Sequence, residues 1–378
     1  MGIAFRPLGR LLAVLLLLGL HPLPASTLPF RLENRTEGPL AARPAFLTVT
    51  ALDTAGRFER MDASGAFHLC SIRDNRIPRN GTTWCAYSFP LADFDMDVAR
   101  PVISGRLYLS VGSPLLLRVD PATGGLVQPD PANPQDPNRT VPFDWVEFTV
   151  DAAGFHGNTT CVDQWCLPIR LEVLDRMGRT AGPVGLTDSR RELLGAWRRE
   201  VPEPFRDLAG GGGWRILAPG HAPADGPLAT SLDPFLQAFW RRCRTVPLAV
   251  PVGADTFTGR VGPDGALAFT REGDPRTYRI EGCPTTLETF RCDGVLARGD
   301  PVERALGARL GALLNRHPAD PWDPGPSYET PCNAYAAFWH RHSLEGLAYG
   351  FPYDDVDGQA TLLTVEEPAE VHIAFRMD

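Results

Sequence analysis

Short runs of alternating apolar and polar residues fill the chain from about residue 27 to residue 185, and they limit the folds that it can adopt. Typical runs are AFLTVTAL, RLYLSV, WVEFTV and IRLEVL. Gly, Pro, Asn and Asp separate these runs, and the stretch 129–140, PDPANPQDPNRT, contains too much proline for a helix. Period-two alternation with frequent turns is typical of antiparallel sheets. The sequence therefore predicts an antiparallel β-barrel or β-sandwich lobe.

After about residue 186 the pattern becomes mixed. The stretches DSRRELLGAWRREV, SLDPFLQAFWRRCRTV and DPVERALGARLGALLNRH have helical spacing, with Ser or Asp near their starts. Strand-like runs such as TFTGRVGPDGALAFT lie between them, and strand character returns near residue 346. The expected fold class is mainly β with an α/β insertion. Residues 27–185 and 346–378 would form the β lobe, and residues 186–345 would form a mixed α/β lobe.

The first 26 residues have the features of a secretory signal peptide. Arg6 and Arg10 precede an apolar run that ends in proline and small residues. That run is shorter than the roughly 20 apolar residues that a membrane-spanning helix needs. We therefore expect a soluble protein that is secreted, extracellular and without a membrane partner.

Charge narrows the partners that this chain can bind. The formal net charge is −8 at pH 7, and no basic stripe is present to neutralise phosphate groups. Nucleic acid and anionic membranes are therefore disfavoured, whereas a neutral polysaccharide fits better. The chain has neither CxxC nor HExxH spacing, and the histidines of the triplet 340–342, HRH, would splay around a helix. We expect no metal, no other cofactor and a monomer.

The cysteines and the sequons both suit an exported protein. In an oxidising compartment, the even number of eight cysteines predicts four disulfides. The cysteines are Cys70, Cys85, Cys161, Cys166, Cys243, Cys283, Cys292 and Cys332. N-x-S/T sequons predict exposed turns, which would carry glycans if a glycosylating cell made the protein. The sequons are at Asn34, Asn80, Asn138 and Asn158.

Residues 143–166, FDWVEFTVDAAGFHGNTTCVDQWC, place two carboxylates on either side of a glycine-containing turn. Strand alternation directs one set of side chains to the core: Val146, Phe148 and Val150. The opposite face would carry an indole, two carboxylates and a hydroxyl, as a sugar groove requires: Trp145, Glu147, Thr149 and Asp151.

A simple hairpin centred on Phe155 would bring Glu147 and Asp163 nearly opposite each other, with Cβ atoms roughly 4.5–5.5 Å apart. Like charges at that distance raise the pKa of one partner, which would provide the acid and the base of glycoside hydrolysis. The alternative is that both residues are surface charges on the wet side of an ordinary hairpin.

This stretch resembles the signature of glycoside hydrolase family 64, the β-1,3-glucanases with a thaumatin-like fold. In that family an E-x-T strand is followed by an Asn-rich turn and a VD…LP strand. Residues 332–356, CNAYAAFWHRHSLEGLAYGFPYDDV, are similar to a second family marker. The resemblance implies a thaumatin-like β-barrel lobe and an α/β lobe that flank a wide groove. It also implies inverting, endo-type cleavage of β-1,3-glucan to short oligosaccharides, with Glu147 as general acid and Asp163 as general base.

The same resemblance supplies candidates for substrate binding. Thr149 and Thr160 match sugar-binding hydroxyls, whereas Asp151 and His156 stand where the family has Asn and an aromatic residue. Trp145 is a candidate sugar platform or a core residue, and Asp354 and Asp355 are groove residues or a satisfied polar contact. The full set is Trp145, Thr149, Asp151, His156, Asn158, Thr160, Asp354 and Asp355.

Two further alternatives remain open at the level of sequence. Cys161 and Cys166 either form a short-loop disulfide that fixes Asp163 or pair elsewhere. The leading hypothesis is a secreted endo-β-1,3-glucanase. The competing hypothesis is a non-catalytic β-glucan-binding or wall-perturbing protein on the same scaffold.

Overall fold

The structure is a computed structural model that describes residues 27–91, 96–210, 214–317 and 327–378. The predicted signal peptide, 1–26, lies outside the described residues. Up to residue 185 the strands are β1 (Leu28–Asn34), β2 (Ala45–Leu52), β3 (Phe58–Met61), β4 (Phe67–Leu69), β5 (Ile77–Arg79), β6 (Thr82–Ala86), β7 (Phe89–Pro90), β8 (Met96–Val98), β9 (Val102–Val111), β10 (Leu116–Val119), β11 (Leu126–Val127), β12 (Phe143–Asp151), β13 (Gly154–Thr159), β14 (Gln164–Trp165), β15 (Ile169–Asp175) and β16 (Thr180–Gly185). Later strands are β17 (Ile216–Leu217), β18 (Leu248–Val252), β19 (Asp255–Val261), β20 (Leu267–Arg271), β21 (Asp274–Ile280), β22 (Leu363–Val365) and β23 (Pro368–Phe375). The α-helices are α1 (Arg190–Glu200), α2 (Asp233–Arg242), α3 (Thr286–Arg291), α4 (Pro301–Arg316) and α5 (Ala334–His342). In these ranges no helix combines the length and the apolar character that crossing a membrane demands.

Two sheets that face each other share one hydrophobic core. One sheet has the strand order β22-β13-β12-β9-β2-β3-β4, with β7 paired to β2, and the other has the order β16-β15-β23-β1-β8. Between them, the ring of Phe30 in β1 lies 5.1 Å from that of Phe148 in β12 and 6.1 Å from that of Phe155 in β13. Two sheets packed face to face form a β-sandwich. Neither sheet closes on itself within the described ranges, so the predicted sandwich is present and the predicted barrel is not.

A second hydrophobic core lies among the helices and the antiparallel sheet β18-β19-β20-β21. Trp339 of α5 is fully buried there, with its ring 4.8 Å from that of Trp165 and 6.1 Å from that of Trp197. Side-chain caps determine where two helices begin, because Ser189 and Asp300 accept hydrogen bonds from first-turn amides of α1 and α4. The short pair β14-β17 connects this core to the sandwich.

The hairpin β12-β13 turns earlier than the sequence predicts. Asp151 pairs with Gly154, so the turn contains two residues, and Glu147 pairs with Asn158. The Asp151 side chain accepts a hydrogen bond from the Ala153 amide, which closes the turn at this point. The prediction that Asp163 lies opposite Glu147 in the hairpin is therefore wrong. Asp163 lies beyond the end of β13, in the connection to β14.

The prediction of four disulfides is contradicted, because all eight cysteines are free. The sulfur atoms have other partners instead. Cys166 Sγ donates to the Trp214 carbonyl at 3.3 Å, and Cys292 Sγ donates to the Pro352 carbonyl at 3.1 Å. The short-loop pairing of Cys161 with Cys166 is absent because Cys166 lies in the sandwich core, whereas Cys161 packs against the helical core.

The four sequons do not all lie in exposed turns. Asn34 and Asn80 are exposed, in agreement with the expectation. Asn138 is only 1% exposed, and its side-chain amide makes two hydrogen bonds with the backbone of Leu116. Asn158 lies within β13, and its Oδ1 atom is buried. A glycan on Asn138 would therefore require this side chain to leave its place in the fold, whereas Asn158 is half-buried and lies in a strand and not in the predicted turn.

Candidate active site

The outward face of β12 carries the predicted acid. Val146, Phe148 and Val150 are buried in the sandwich core, whereas Glu147 and Thr149 are half-buried on the opposite face. This confirms the predicted alternation along the strand. The two-faced strand thus separates residues that stabilise the fold from residues that are available for chemistry.

An ion pair and a hydrogen bond hold the Glu147 carboxylate at the same oxygen. The register between β9 and β12 places Arg106 directly beside Glu147. Arg106 Nη2 lies 2.9 Å from Glu147 Oε1, and the Trp145 indole donates to that oxygen at 3.3 Å. The Glu147 side chain is 18% exposed. Its second oxygen, Oε2, has no hydrogen-bond donor in the described part of the chain and is the atom left for a ligand.

Trp145 is a packing residue at this site and not the open sugar platform that the sequence suggested. It is 4% exposed, with its ring 5.7 Å from that of Tyr108 and 6.3 Å from that of Phe143. The Arg106 guanidinium lies 5.6 Å from the indole centroid. A hydrophobic cluster that includes residues of β6, β10 and β11 covers this end of β12. Trp145 can therefore orient Glu147, but it offers almost no ring surface to a sugar.

Asp163 reaches the site through a different segment, residues 216–221. The Ala218 amide donates to the Asp163 carbonyl at 3.0 Å, and His221 Nε2 lies 3.2 Å from Asp163 Oδ1. Burial opposes ionisation of Asp163, but the hydrogen bond from His221 and the charges of His221 and Arg106 lower its pKa below the ordinary value. Burial also opposes the charge on His221, yet the contact with Asp163 raises the pKa of the imidazole. Each side chain therefore favours the charged form of the other.

Arg106 forms an ion pair with Glu147, and its charge also lowers the pKa of Asp163. Burial opposes the charge on its guanidinium, but Tyr108, Glu147 and, to a smaller extent, Asp163 raise its pKa. The hydroxyl of Tyr108 lies 3.5 Å from Arg106 Nη1. Both predicted carboxylates therefore act electrostatically on Arg106, whereas their direct partners differ: Arg106 for Glu147 and His221 for Asp163. Two carboxyl groups in different environments are what acid–base hydrolysis requires.

Other predicted ligands lie along the same outward face, towards the hairpin turn. Thr149 Oγ1 accepts a hydrogen bond from the Ser104 amide at 3.2 Å. His156 Nδ1 lies 3.3 Å from Thr364 Oγ1, and its Nε2 lies 3.9 Å from Asp151 Oδ1. These polar groups are half-buried or exposed and continue the face that carries Glu147.

Asn158 and Thr160 have different surroundings. Asn158 is the cross-strand neighbour of Glu147, and its buried Oδ1 has no hydrogen-bond partner among the described residues. Thr160 is 7% exposed, and its hydroxyl accepts a hydrogen bond from the Val162 amide at 3.2 Å. Thr160 therefore shapes the connection that leads to Asp163 and presents little surface to a ligand.

Asp354 and Asp355 differ in burial and in their partners. Asp354 is fully buried, with hydrogen bonds to Arg316, His340 and the Gly350 amide at 2.9–3.0 Å. This contradicts the expectation that Asp354 binds substrate. Asp354 instead makes the satisfied polar contact that was the alternative. Asp355 is half-buried, and burial together with the neighbouring Asp354 raises its pKa.

Among the residues that the structure describes, no group of three or more His, Cys, Asp and Glu side chains could hold a metal ion. A small cavity of about 20 Å³ lies behind the connection to Asp163. Asp144, Thr160 and Tyr349 contribute to its wall, and it has space for one water molecule.

Comparison with known proteins identifies the family. The model of the beta-1,3-glucanases of glycoside hydrolase family 64 matches residues 26–375. The chain belongs to glycoside hydrolase family 64. The resemblance that residues 143–166 and 332–356 indicated is thereby confirmed.

Members of glycoside hydrolase family 64 resemble the chain in sequence and in structure. A glucan endo-1,3-beta-glucosidase from Cellulosimicrobium cellulans is 28% identical over 306 residues, which are 73% of this chain and 53% of that protein. The crystal structure of a beta-1,3-glucanase domain from Clostridium beijerinckii has a TM-score of 0.85 at 27% identity, and the match covers 94% of this chain and 100% of that chain. A laminaripentaose-producing beta-1,3-glucanase in complex with laminaritetraose has a TM-score of 0.79 at 28% identity, with the same coverage. The chain spans about half the length of the curated relatives that it matches.

Sequence reasoning missed three residues of this family 64 site. Arg106 and Tyr108 occupy alternate positions of β9, and their period-two spacing in RLYLSV was visible. Their placement beside Glu147 depends on the pairing of β9 with β12, which no local signal predicts. His221 lies in the loop APGHAPADG, where no periodic pattern distinguishes it.

Proposed function

We propose that this chain is an endo-β-1,3-glucanase that hydrolyses β-1,3-glucan with inversion, with Glu147 as general acid and Asp163 as general base. The observation that carries the proposal is that each carboxylate has its own cationic or potentially cationic partner: Glu147 Oε1 lies 2.9 Å from Arg106 Nη2, and Asp163 Oδ1 lies 3.2 Å from His221 Nε2. The family match and the names of the relatives support the substrate class.

In this mechanism each carboxyl group does one task. Glu147, held at Oε1 by Arg106 and Trp145, carries the proton on its other oxygen and donates it to the glycosidic oxygen. Asp163 is kept ionised by His221 and Arg106, and it accepts a proton from the water that attacks the anomeric carbon. Attack from the face opposite the leaving group inverts the configuration at that carbon.

The substrate would lie across the outward face of β12, β13 and β22. Thr149, Asp151, His156 and Asn158 offer hydrogen-bonding groups there. We propose that these residues bind the glucan hydroxyls, with Asp355 at the edge of the site, and that short oligosaccharides are released. The site needs no cofactor in this scheme.

We also propose that the protein is secreted and acts as an extracellular monomer without a nucleic-acid or membrane partner. The apolar leader 1–26 and the net charge of −8 support this proposal. We further propose a thaumatin-like fold in which 27–185 and 346–378 form the β lobe and 186–345 form the α/β lobe. Glycans, if attached, would be on Asn34 and Asn80, which are exposed.

Hydrolysis of laminarin followed by ¹H NMR tests the proposed activity and its stereochemistry together. Wild type should release reducing ends that appear first as the α-anomer. Glu147→Gln and Asp163→Asn should each abolish release, whereas matched changes at exposed positions, Glu272→Gln and Asp207→Asn, should not. Wild-type activity in either active-site variant would contradict the residue roles. Binding to insoluble β-1,3-glucan without release of reducing ends would instead support the non-catalytic alternative.

A further inference from the structure

We propose that His221 is a positioning residue for Asp163, which donates from Nε2 to Oδ1 and leaves Oδ2 directed at the attacking water. This inference rests on the proposed role of Asp163 as general base. The contact between Nε2 and Oδ1 is 3.2 Å, and both side chains are partly accessible, at 29% for His221 and 44% for Asp163. Oδ2 has no protein donor in the described ranges and is therefore the oxygen available to water.

Backbone hydrogen bonds within residues 218–221 and to α3 fix the position of His221. Residues Pro219–His221 form a single 3₁₀ turn, in which the His221 amide donates to the Ala218 carbonyl at 3.0 Å. The Gly220 carbonyl accepts a hydrogen bond from Arg291 Nε, at the end of α3. A Cβ atom on residue 220 would lie 3.1 Å from Arg291 Cγ, so glycine permits this close approach. The imidazole is thus presented by a constrained turn and not by a free loop.

The same segment holds the backbone of Asp163. β14 pairs with β17 through Gln164 and Leu217, and the Ala218 amide donates to the Asp163 carbonyl at 3.0 Å. The main chain and the side chain of Asp163 are therefore bound by residues only three apart, Ala218 and His221. Attachment at two points restricts both the position and the rotation of the carboxylate. A general base needs such a fixed orientation to activate water for in-line attack.

Charges around the pair favour its ionised form. Arg106 from β9 acts on Asp163, and Asp130 from the proline-rich loop acts on His221 in the same stabilising direction. Arg291 from α3 opposes the charge on His221, and burial opposes both charges. The net result lowers the pKa of Asp163 and raises that of His221. The ion pair therefore exists between these two pKa values, and it is lost on the acidic side when Asp163 takes up a proton.

A purely structural histidine and a positioning histidine predict different kinetics. A structural role would change the temperature of unfolding but would leave the pH dependence of the active fraction unaltered. A positioning role requires that removal of His221 raises the pKa of Asp163, which moves the acidic limb of the kcat profile to higher pH. A positioning role also requires that kcat changes more than KM, because Asp163 activates the attacking water and does not bind the glucan.

The experiment compares wild type with His221→Ala, His221→Gln and a control, His372→Gln, which removes a paired histidine from the other sheet. Laminarin hydrolysis is measured as a function of pH, with thermal unfolding of each variant. His221→Ala should lower kcat by about 100-fold, as expected for a misplaced reacting group. Its acidic limb should move to higher pH. His221→Gln keeps an N–H donor without the charge and should restore part of kcat with a smaller shift of the limb.

An NMR titration of the His221 ring in wild type and in Asp163→Asn gives a second readout that needs no turnover. The pKa of His221 should fall in Asp163→Asn. If wild type is active and the acidic limb of its kcat profile coincides with that of His221→Ala, the positioning role of His221 is wrong, but the proposed function is not affected. An unmoved His221 titration would lead to the same conclusion. An inactive wild type would overturn the proposed function and, with it, the positioning role.

Discussion

Substitution of Trp145 by Phe separates two roles for this residue, orientation of Glu147 and stacking on a sugar. The variant keeps an aromatic ring in the cluster with Tyr108 and Phe143 but removes the indole N–H that donates to Glu147 at 3.3 Å. A net hydrogen bond of this kind contributes about 0.5–1.5 kcal/mol. At about 1.4 kcal/mol for each tenfold change in rate, kcat should fall by about 2- to 10-fold.

KM should remain unchanged in Trp145→Phe, because a side chain that is 4% exposed has almost no surface for glucan. The assay is steady-state hydrolysis of laminarin, with unfolding in urea to correct for stability. Trp84→Phe is the matched control, since the Trp84 indole is buried and also donates one hydrogen bond at 3.3 Å, to the Arg79 carbonyl. A large rise in KM with normal kcat would refute the orienting role and restore Trp145 as a sugar platform.

Three further results are expected. Arg106→Met removes a partly buried ion pair with Glu147. Its loss should cost about 1–3 kcal/mol, between the values for exposed and buried pairs, so kcat should fall by about 5- to 150-fold. Because Arg106 also lowers the pKa of Asp163, the acidic limb of the kcat profile should move to higher pH in Arg106→Met. The control, Arg170→Met, breaks a comparably exposed ion pair and should change neither kcat nor the acidic limb. Identical pH profiles in wild type and Arg106→Met would contradict an effect of Arg106 on Asp163. Asp354→Ala leaves the buried Arg316 without its carboxylate and should cost about 3–5 kcal/mol in urea unfolding without a change in KM. A raised KM at normal stability would return Asp354 to the substrate site. Thiol titration of the unfolded, unreduced protein should find eight free thiols, and any smaller number would indicate a disulfide.

Strand alternation was predictable because it depends only on neighbouring residues. The burial of Val146, Phe148 and Val150 follows from a period of two, and so does the outward position of Glu147. The centre of the hairpin was not predictable in the same way. The turn Ala152–Ala153 carries no Asn-Gly or Asp-Gly signal, and the symmetry of the two carboxylates about Phe155 indicated a later turn.

The assembly of the site depends on contacts that are distant in sequence. Glu147 meets Arg106 only because β9 pairs with β12, and Asp163 meets His221 only because β14 pairs with β17. The family resemblance does not depend on these contacts, and it proposes both carboxylates without the geometry. Cysteine number was misleading for a related reason. An even count permits disulfides, but pairing requires suitable distances, and Cys161 and Cys166 pack against different cores.

The proposed acid and the proposed base are attached to different hydrophobic cores, and this makes their spacing an adjustable property of the protein. Glu147 belongs to a sandwich strand, whereas Asp163 is fastened by the segment 216–221, whose Ile216 is buried in the helical core. Substitutions that repack the core around Ile216 would move the Asp163 carboxylate relative to the Glu147 carboxylate without replacing either residue. Carboxyl separation distinguishes retaining from inverting hydrolysis. A library of substitutions restricted to this short segment would therefore test whether the stereochemical outcome depends on this spacing, without any change in the two proposed catalytic groups.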